Sequence, residues 1–518
     1  MKRLFSLFIT LTLIVQFGFS QTESEKTAET ETAAATESRG ITFDVSGSEQ
    51  DADGWLHEND GKKHYLTAVG LVAFYNVFLC SWNRYVGGRD WAKVGPDEWN
   101  RFWEREMEWD KDWYWTNFVL HPYQGAFYYM GARGSNLNKI ESFLLTVLGS
   151  ASWEYLCETN APSKNDMAYT TVGAFSVGEM LYRLSLEADE ISSLLGYAVN
   201  PTRLWTQLFT RQRPLGSSGH INELSLKFPM GTSFAHVNLI DYDGDYDETE
   251  MYPVHVSPEF HVVYNDPYGH DSNDPYSQFS LLFKAGIGKG SGNGADCNFA
   301  ELDKNIYYNI RILSDGMMFS RAPDFGEDKA TSIGMTMLFD FDWHSYYLLS
   351  SMAPGFAIKQ RVTNEDDSTF EWQAHLAGIL LGTSDFYYYR RDFDEKYTDE
   401  ENGKAGLNAS YNYNVGFETK LLAKYKRKDG SNIGASFRGY AMYDFYDQLQ
   451  YLKNGERGTQ LGWDLVGVTN FNAELALNKR VRLGVEEELY TKYGIYHNIP
   501  NVFQVMTSAS VYAKIQAK

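Results

Sequence analysis

The C-terminal half of the chain alternates apolar and polar residues with a period of two, over runs longer than most soluble strands. Successive side chains of a strand point to opposite faces. In the last run one face carries Phe503, Val505, Thr507, Ala509, Val511, Ala513 and Ile515, and the other carries Gln504, Met506, Ser508, Ser510, Tyr512, Lys514 and Gln516. Soluble strands usually have about five or six residues. Long strands that are apolar outside and polar inside are typical of an outer-membrane barrel.

Two upstream runs repeat the pattern. Between 461 and 478 the apolar set is Leu461, Trp463, Leu465, Phe471, Ala473, Leu475 and Leu477, and the polar set is Asp464, Asn470, Asn472, Glu474 and Asn478. Between 407 and 425 the apolar set is Leu407, Tyr411, Tyr413, Val415, Phe417, Leu421 and Tyr425, and the polar set is Asn408, Asn412, Asn414, Glu418, Lys420 and Lys424. Both runs predict strands with one face in lipid.

The lengths of the connections support the same interpretation. Residues 364–368, 428–430 and 478–480 form short connections, whereas 384–406 and 447–458 are longer. Short periplasmic turns that alternate with longer outer loops are typical of such barrels. The short connection at 497–500 departs from this alternation. We therefore expect an antiparallel transmembrane β-barrel of roughly 12 strands over residues 224–518. A soluble β-sandwich is the alternative, and it explains neither the strand length nor the export signal described next.

The N-terminus predicts export. Lys2 and Arg3 precede an apolar run over 4–17, and Gly18 and Ser20 give a small-residue cleavage pattern. Residues 1–20 are therefore expected to be a secretory signal peptide. An N-terminal membrane anchor is the alternative, although the run is short for a span. Residues 21–53 are rich in Thr, Glu, Ala and Ser, which predicts a disordered acidic leader.

Residues 54–223 are expected to form a helical module, which makes the fold class α+β. The segment YLTAVGLVAFYNVFLCSW, beginning at Tyr65, has roughly 18 residues, near the lower limit for a membrane span. Because it contains Asn76 and is followed by Arg84, we expect it to be buried against protein. The module is expected to pack at the periplasmic mouth or to plug the barrel. Helix capping is expected from Ser163, Asn165 or Asp166.

Composition limits the classes of function that the chain can have. The net charge of −22 argues against nucleic-acid binding, which needs a basic footprint. Aromatic residues make up 16% of the chain, as suits a protein with two membrane interfaces. Cys80, Cys157 and Cys297 form no disulfide framework, and one disulfide between two of them stays open.

The segment 117–201 resembles a bacterial family known as domain of unknown function 3943. The resemblance is carried by Asn117, by HPYQGAFYYMGAR at 121–133, by SASWEYLCE at 150–158, by PSKND at 162–166 and by TTVGAFSVGE at 170–179. It implies a cell-envelope protein with helices ahead of a barrel. It implies no reaction and no catalytic residues.

The polar residues of the module are candidates for a site. They are His121, Arg133, Glu154, Glu158, Asp166 and Glu179. Carboxylates with one histidine can bind a metal or act as a general acid–base set. Glu154 and Glu158 are expected to share a helix face, and Glu179 and Arg183 have the spacing of a helical ion pair. Interhelical hydrogen bonding is the structural alternative, with His121 and Arg133 bonded to Glu154, Glu158 or Glu179.

The run DYDGDYDETE offers a second, weaker site. Asp241, Asp243, Asp245 and Asp247 recur at every second residue, and oxygen ligands of this kind suit calcium. The glycine is misplaced for an EF-hand and the distal glutamate is absent, so an acidic surface loop is the simpler interpretation. Apart from this possible calcium, no cofactor is expected.

Two functions follow. The first is a structural or transport role for an outer-membrane barrel with a packed helical module. The second is an outer-membrane enzyme acting on lipid or lipopolysaccharide, with His121 and the nearby glutamates as the catalytic set. Whether the protein is an enzyme stays open. The expected partners are outer-membrane lipid or lipopolysaccharide and the barrel-assembly machinery, after export by the secretory pathway.

Overall fold

The computed structural model describes residues 56–517, except 102–103, 111, 215–217, 241–246, 292–305, 386–410, 446–449, 452–456, 459–460 and 498–499. The expected signal peptide and acidic leader lie outside the described residues, as does Cys297. The chain divides into two compact units. The first comprises Met1–Phe102, Gly125–Asn160 and Val177–Gly219, and the second comprises Trp103–Gln124, Ala161–Ser176 and His220–Lys518. The units therefore do not follow the expected single boundary at 223.

The N-terminal part is helical. Its α-helices are α1 (Tyr65–Tyr85), α2 (Pro96–Asn100), α3 (His121–Gly134), α4 (Lys139–Leu156), α5 (Lys164–Ala168), α6 (Ala174–Ile191), α7 (Ser193–Val199) and α8 (Thr202–Thr210). A short 3₁₀-helix spans Asp90–Ala92, and π-helical turns span Thr116–Leu120 and Tyr169–Gly173. Helix α4 begins with a capping box, in which Asn138 and Glu141 each accept a hydrogen bond from the other's backbone N–H.

The C-terminal part is a β-barrel. Its strands are β1 (Ile221–Ile240), β2 (Asp247–Val256), β3 (Glu259–Tyr264), β4 (Phe279–Ser291), β5 (Ile306–Arg321), β6 (Lys329–His344), β7 (Leu348–Thr363), β8 (Thr369–Ser384), β9 (Asn414–Lys426), β10 (Asn432–Asp444), β13 (Gly462–Ala476), β14 (Val481–Tyr496) and β15 (Asn501–Gln516), with a separate small pair β11 (Gln450–Tyr451) and β12 (Arg457–Gly458).

The 13-stranded antiparallel sheet closes because β15 pairs with β1. Strands β2 and β3 both lie between β1 and β4, so they share one position in the ring. The ring therefore has twelve positions, which confirms the expected strand number. Closure leaves no edge in the ring, as a sheet that spans a membrane requires.

The outward face of the barrel is apolar. Its large exposed side chains include Ile287, Ile333, Phe356, Leu376, Phe417, Leu421, Ile433, Phe471, Leu475, Leu483, Val485, Val511 and Ile515. The predicted parity is confirmed on β9, β13 and β15. On β9, for example, Phe417 and Leu421 are exposed whereas Glu418 is buried. Leu407 and Asn408 lie outside the described residues, and Tyr411 and Tyr413 are buried instead of facing lipid. Water would disfavour so large a continuous apolar surface, and lipid does not. The outward face is therefore in contact with lipid.

The inward face is filled by side chains that meet across the lumen. Arg311 on β5 donates to Glu488 on β14, from Nη1 at 2.5 Å and from Nη2 at 3.0 Å. Beside this pair the rings of Tyr347 and Tyr490 stack, with centroids 3.9 Å apart. Lys492 on β14 donates to the carbonyl oxygen of Asp385 at 2.7 Å. Strand β14 thus contacts β5, the turn between β6 and β7, and the residue that follows β8 across the lumen.

The helical segments of the second unit lie on the outward face of its strands. We call Trp103–Gln124 and Ala161–Ser176 the wall segments. Tyr114 stacks on Phe341 with centroids 5.1 Å apart. Phe341 has the same strand parity as lipid-facing Ile333, whereas Asp340 and Asp342 turn into the lumen to meet Arg438. Likewise Trp109 packs on the outward ring of Tyr413, at 5.1 Å.

The expected plug is therefore wrong for the wall segments. They cover the outer wall where β6 turns into β7, and on that stretch the outward residues Phe339, Phe341 and Met352 are buried instead of exposed. The physical reason is space, because side chains of opposite strands already fill the lumen.

Helix α1 also departs from expectation. The sequence predicts a helix buried against protein, but α1 exposes most of its apolar side chains. Asn76, the polar residue that suggested burial, is itself buried and donates to Gly149 O at 3.1 Å and to Ser152 Oγ at 2.8 Å. Among the described residues, α1 is the one helix long and apolar enough to cross a membrane.

Candidate functional site

Two π-helical turns lie side by side in the wall segments. The first runs directly into α3 at His121, and the second joins α5 to α6. Their rings meet, since Phe118 and Tyr169 lie edge to face at 4.4 Å. Gly173 lies against Pro122, and a Cβ at this position would come within 2.9 Å of the proline Cβ. A π turn inserts a residue into a helix and is frequent at functional sites, so these two turns mark the place to search.

A buried amide ties the first wall segment to the barrel. Asn117 Nδ2 donates to the hydroxyls of Tyr411 at 2.8 Å and Tyr413 at 3.0 Å. The two tyrosines in turn donate to backbone carbonyls, Tyr411 to Asp112 at 2.5 Å and Tyr413 to Asp110 at 2.8 Å. Asn117 and both tyrosines have no exposed surface. The arrangement fixes the segment to the start of β9.

Asp110 joins the two wall segments. Its Oδ1 accepts from Asn165 Nδ2 at 3.0 Å, from Asn117 Nδ2 at 3.2 Å and from the backbone N–H of Asp112 at 3.1 Å. Burial alone would raise the pKa of Asp110. Hydrogen bonds from Asp166, Asn165 and the Asp112 N–H outweigh burial and lower that pKa. Asp110 is therefore held as a carboxylate at a helix junction.

His121 lies between a carboxyl group and a hydroxyl group. Its Nε2 is 3.4 Å from Asp166 Oδ2, and its Nδ1 is 3.3 Å from Thr170 Oγ1. Burial lowers the pKa of His121 to about 4, although the charge of Asp110 acts in the other direction. The imidazole is consequently neutral at physiological pH. We call Asp110, Asn117, His121, Asn165, Asp166 and Thr170 the Asp110–His121 cluster.

A second cluster lies in the first unit, around Glu179 on α6. This fully buried carboxylate accepts from Arg133 Nε at 2.9 Å, from Arg183 Nε at 3.0 Å and from Tyr129 OH at 3.1 Å. Lys139 Nζ lies 3.7 Å away. Three cations thus surround one carboxylate. The Glu179–Arg183 pair and the Arg133–Glu179 bond are as the sequence predicts.

The six site residues predicted from the sequence therefore do not form a single site. His121 and Asp166 meet in the second unit, whereas Arg133 and Glu179 meet in the first. Glu154 is buried in α4. Glu158 does not share its helix face, because α4 ends at Leu156 and Glu158 instead accepts from Trp153 Nε1 at 2.7 Å. The predicted partners of His121 were all glutamates, but its partner is Asp166.

Sequence reasoning missed Asp110, Asn165, Tyr411 and Tyr413. Asp110 follows WEREMEW, a mixed run of charged and aromatic residues that gives no motif. Tyr411 was assigned to the lipid-facing parity, and its contact with Asn117 lies 294 residues away in the chain. The capping expectation is confirmed for Ser163, whose Oγ accepts from the Asp166 N–H at 3.1 Å.

The calcium candidates cannot be placed as a group. Asp241, Asp243 and Asp245 lie outside the described residues, and Asp247 begins β2. Elsewhere in the described part of the chain, no three His, Cys, Asp or Glu residues are arranged to hold a metal ion. Calcium at 241–247 stays a prediction.

The Asp110–His121 cluster has the residue types of an acid–base site but the packing of an anchor. A neutral imidazole next to a hydroxyl can accept its proton, and Asp166 can orient the ring. Both contacts of His121 are longer than the usual reach of a catalytic base, about 2.6–3.2 Å. His121, Asp166 and Thr170 are all nearly inaccessible to solvent. The geometry therefore favours a network that orders the wall segments.

A closed antiparallel ring with lipid outside and charged pairs inside defines an outer-membrane β-barrel protein, here with a helical module before the barrel. Residues 106–201 match the family model described as Domain of unknown function (DUF3943). This match confirms the resemblance predicted from the motifs and contains both clusters' central residues, His121 and Glu179. A search of curated proteins finds no match.

Several solved outer-membrane proteins are similar to part of the chain. An outer membrane channel from Pseudomonas putida F1 is 6% identical, with a TM-score of 0.30 over 57% of this chain and 99% of that chain. A FadL homologue from Pseudomonas aeruginosa is 10% identical, with a TM-score of 0.25 over 57% and 90%. Outer membrane phospholipase A from Escherichia coli is 12% identical, with a TM-score of 0.23 over 55% and 92%. At TM-scores this low the likeness carries no argument about fold or activity.

Proposed function

We propose that the protein is a structural component of the outer membrane, a barrel closed to diffusion that presents helical segments on its outer wall. The observation that carries the proposal is the direct contact of opposite walls, as in Arg311 with Glu488 and Tyr347 with Tyr490. A passive channel needs a continuous water path, and these contacts occupy it. The ion pairs are also costly to separate, because each charge would be left in a low-dielectric interior.

Conductance across a planar lipid bilayer tests this function. The full chain, inserted as folded protein, is expected to give no stepwise conductance, whereas a general porin in the same bilayer gives open-channel steps. Sustained single-channel conductance steps from the wild-type chain would contradict the structural role and support a role in transport.

Export and assembly belong to the same proposal. The charged start and apolar run over residues 1–20 support export by the secretory pathway. A twelve-position barrel with a lipid-facing wall supports insertion by the barrel-assembly machinery, with outer-membrane lipid or lipopolysaccharide around it. Replacing Lys2, Arg3 and part of the run 4–17 is expected to leave the full-length precursor in the cytoplasm, and appearance of the variant in the outer-membrane fraction would contradict this.

The contact of His121 with both Asp166 and Thr170 favours one further candidate, an enzyme acting on lipid or lipopolysaccharide. In such an enzyme Thr170 would be the nucleophile and His121 the base. Its test is turnover of a fluorescent phospholipid in mixed micelles, measured for the wild type and for His121→Ala at equal barrel abundance. Turnover that disappears in His121→Ala alone would support catalysis. Absence of turnover by the wild type would leave the structural role.

A further inference from the structure

The apolar surface of the first unit forms one consistent pattern. Helix α1 exposes Leu66, Val69, Phe74, Val77, Phe78, Trp82 and Tyr85. Helix α4 exposes Ile140, Leu144 and Leu148, four residues apart and therefore on one stripe. Helix α8 exposes Leu204, Leu208 and Phe209. Soluble proteins rarely leave large apolar side chains of three helices uncovered in one compact unit.

The dimensions and ends of α1 match a lipid bilayer. Its 21 residues span about 31 Å at about 1.5 Å per residue, close to the hydrocarbon thickness of about 30 Å. Between Tyr65 and Asn83 the helix carries no charged residue. At one end Lys63 and Tyr65 bond to Glu141, and at the other end lie Trp82, Arg84 and Tyr85. Aromatic and basic residues of this kind collect at membrane interfaces.

Two polar side chains of α1 find hydrogen-bond acceptors within the helices. Asn76 bonds to Gly149 O and Ser152 Oγ on α4, and Asn83 Nδ2 donates to Leu79 O at 3.0 Å. Gly149 permits the close approach of α4 to α1, since a Cβ at this position would come within 2.9 Å of the Val72 side chain on α1. Small residues at helix contacts and polar residues turned inward are typical of helices packed in membranes. A water-soluble bundle has the reverse distribution.

We propose that α1, α4 and α8 form a helical bundle in contact with lipid acyl chains, so that the protein meets the membrane through helices as well as through its barrel. The occupant of the apolar face is the bilayer. A soluble partner protein and a second copy of the chain are the competing occupants. The inference uses the membrane location of the barrel and does not depend on whether the barrel conducts.

Site-directed spin labelling of the full chain in lipid vesicles tests the inference. The background carries Cys80→Ala, Cys157→Ala and Cys297→Ser, and a cold, unboiled gel confirms that it is folded. Labels are placed on the bundle at Val77→Cys, Leu148→Cys and Leu208→Cys. Phe356→Cys, on the outward barrel face, is the lipid reference, and Lys479→Cys, in a turn, is the water reference.

Collision rates with molecular oxygen and with a polar nickel chelate separate the three occupants. Oxygen concentrates in lipid and the chelate in water. We expect the oxygen-to-nickel ratio at all three bundle sites to equal that at Phe356→Cys and to exceed that at Lys479→Cys. A ratio equal to that at Lys479→Cys overturns the inference. Low collision rates with both reagents also overturn it, because they indicate cover by protein.

The two reference sites distinguish failure of the bundle proposal from failure of the outer-membrane location of the barrel. If Phe356→Cys reports lipid while the bundle sites report water, the bundle proposal fails and the outer-membrane barrel stands. If Phe356→Cys also reports water, the membrane location of the whole chain fails. Should the triple cysteine background not fold, the same labels are introduced as unnatural amino acids in the wild-type chain.

Discussion

At the scale of single residues, the Asn117 amide joins a wall segment to the barrel through two buried hydrogen bonds. Asn117→Ala leaves the buried hydroxyls of Tyr411 and Tyr413 without their donor. We expect the free energy of unfolding to fall by about 1–3 kcal/mol, the usual cost of an unsatisfied buried polar group. Urea titration of the protein in vesicles measures it.

A double-mutant cycle with Tyr413→Phe is the control for that prediction. Asn117 Nδ2 lies 3.0 Å from the Tyr413 hydroxyl, so the two losses are expected to be non-additive by about 0.5 kcal/mol or more. Strictly additive losses would mean that the bond contributes nothing to stability.

His121 makes the stability of the folded protein depend on pH. Its folded-state pKa of about 4 lies below the ordinary value of 6.5, so the unfolded chain binds the proton first as the pH falls. Stability from this group is fully present above pH 6.5 and is lost between pH 6.5 and about 4. The difference between the two pKa values corresponds to at most about 3 kcal/mol. Thermal unfolding of the wild type and of His121→Gln from pH 4 to 8 measures it.

The expected result is that the wild type loses more stability than His121→Gln over that pH window. His57→Gln, at an exposed position, is the matched control and is expected to follow the wild type. Parallel pH profiles for the wild type and His121→Gln would show that His121 is protonated alike in both states.

At the scale of elements, the joined π turns depend on a glycine. Gly173→Ala places a Cβ 2.9 Å from Pro122 Cβ, and overpacking of this kind typically costs about 1–3 kcal/mol. Gly70→Ala on α1 is the matched helical control, because its Cβ meets nothing within 4 Å. We expect loss of stability for the first and none for the second, by the same unfolding assay. Equal effects would contradict the close contact.

The elements also show where sequence reasoning succeeds. Strand parity on β9, β13 and β15 was predictable because each side chain faces either lipid or the lumen, and nothing else competes. The ion pair of Glu179 with Arg183 was predictable because both residues lie on one helix. The π turns were not, since an inserted residue shifts the hydrophobic period by only one position, and the irregular pattern of these short segments hides that shift.

The contacts between residues far apart in the chain could not be predicted from the sequence either. Nothing in the chain near His121 indicates that its neighbour is Asp166 and not a glutamate of α4. Helix α1 was assigned to a protein interior because Asn76 is polar, but one inward polar residue is equally compatible with a helix whose other faces meet lipid. Local pattern predicts the periodicity of an element and does not identify what covers it.

At the scale of the whole molecule, the lumen pairs hold opposite walls together. Arg311→Met leaves Glu488 buried without its partner, a change that costs about 3–5 kcal/mol in comparable buried pairs. Arg311→Met with Glu488→Met removes both charges and is expected to cost less than the single variant. The measurement is the temperature at which the compact band of an unboiled gel sample disappears.

The wild-type chain is expected to migrate anomalously before boiling and normally afterwards, as folded barrels do in detergent. A double variant less stable than Arg311→Met would show that the pair stabilises the barrel through more than mutual neutralisation. Identical migration with and without boiling would contradict the barrel itself.

The seam between the first and last strands has a consequence for biogenesis. Lys514 on β15 donates to Glu223 on β1 at 3.0 Å, and these two strands become neighbours only when the ring is sealed. Before that moment Glu223 lacks the ammonium group of Lys514, so water must solvate the carboxylate on this seam. Sealing the cylinder and neutralising its last interior charges are thus one event, which places the expulsion of water at the final stage of assembly.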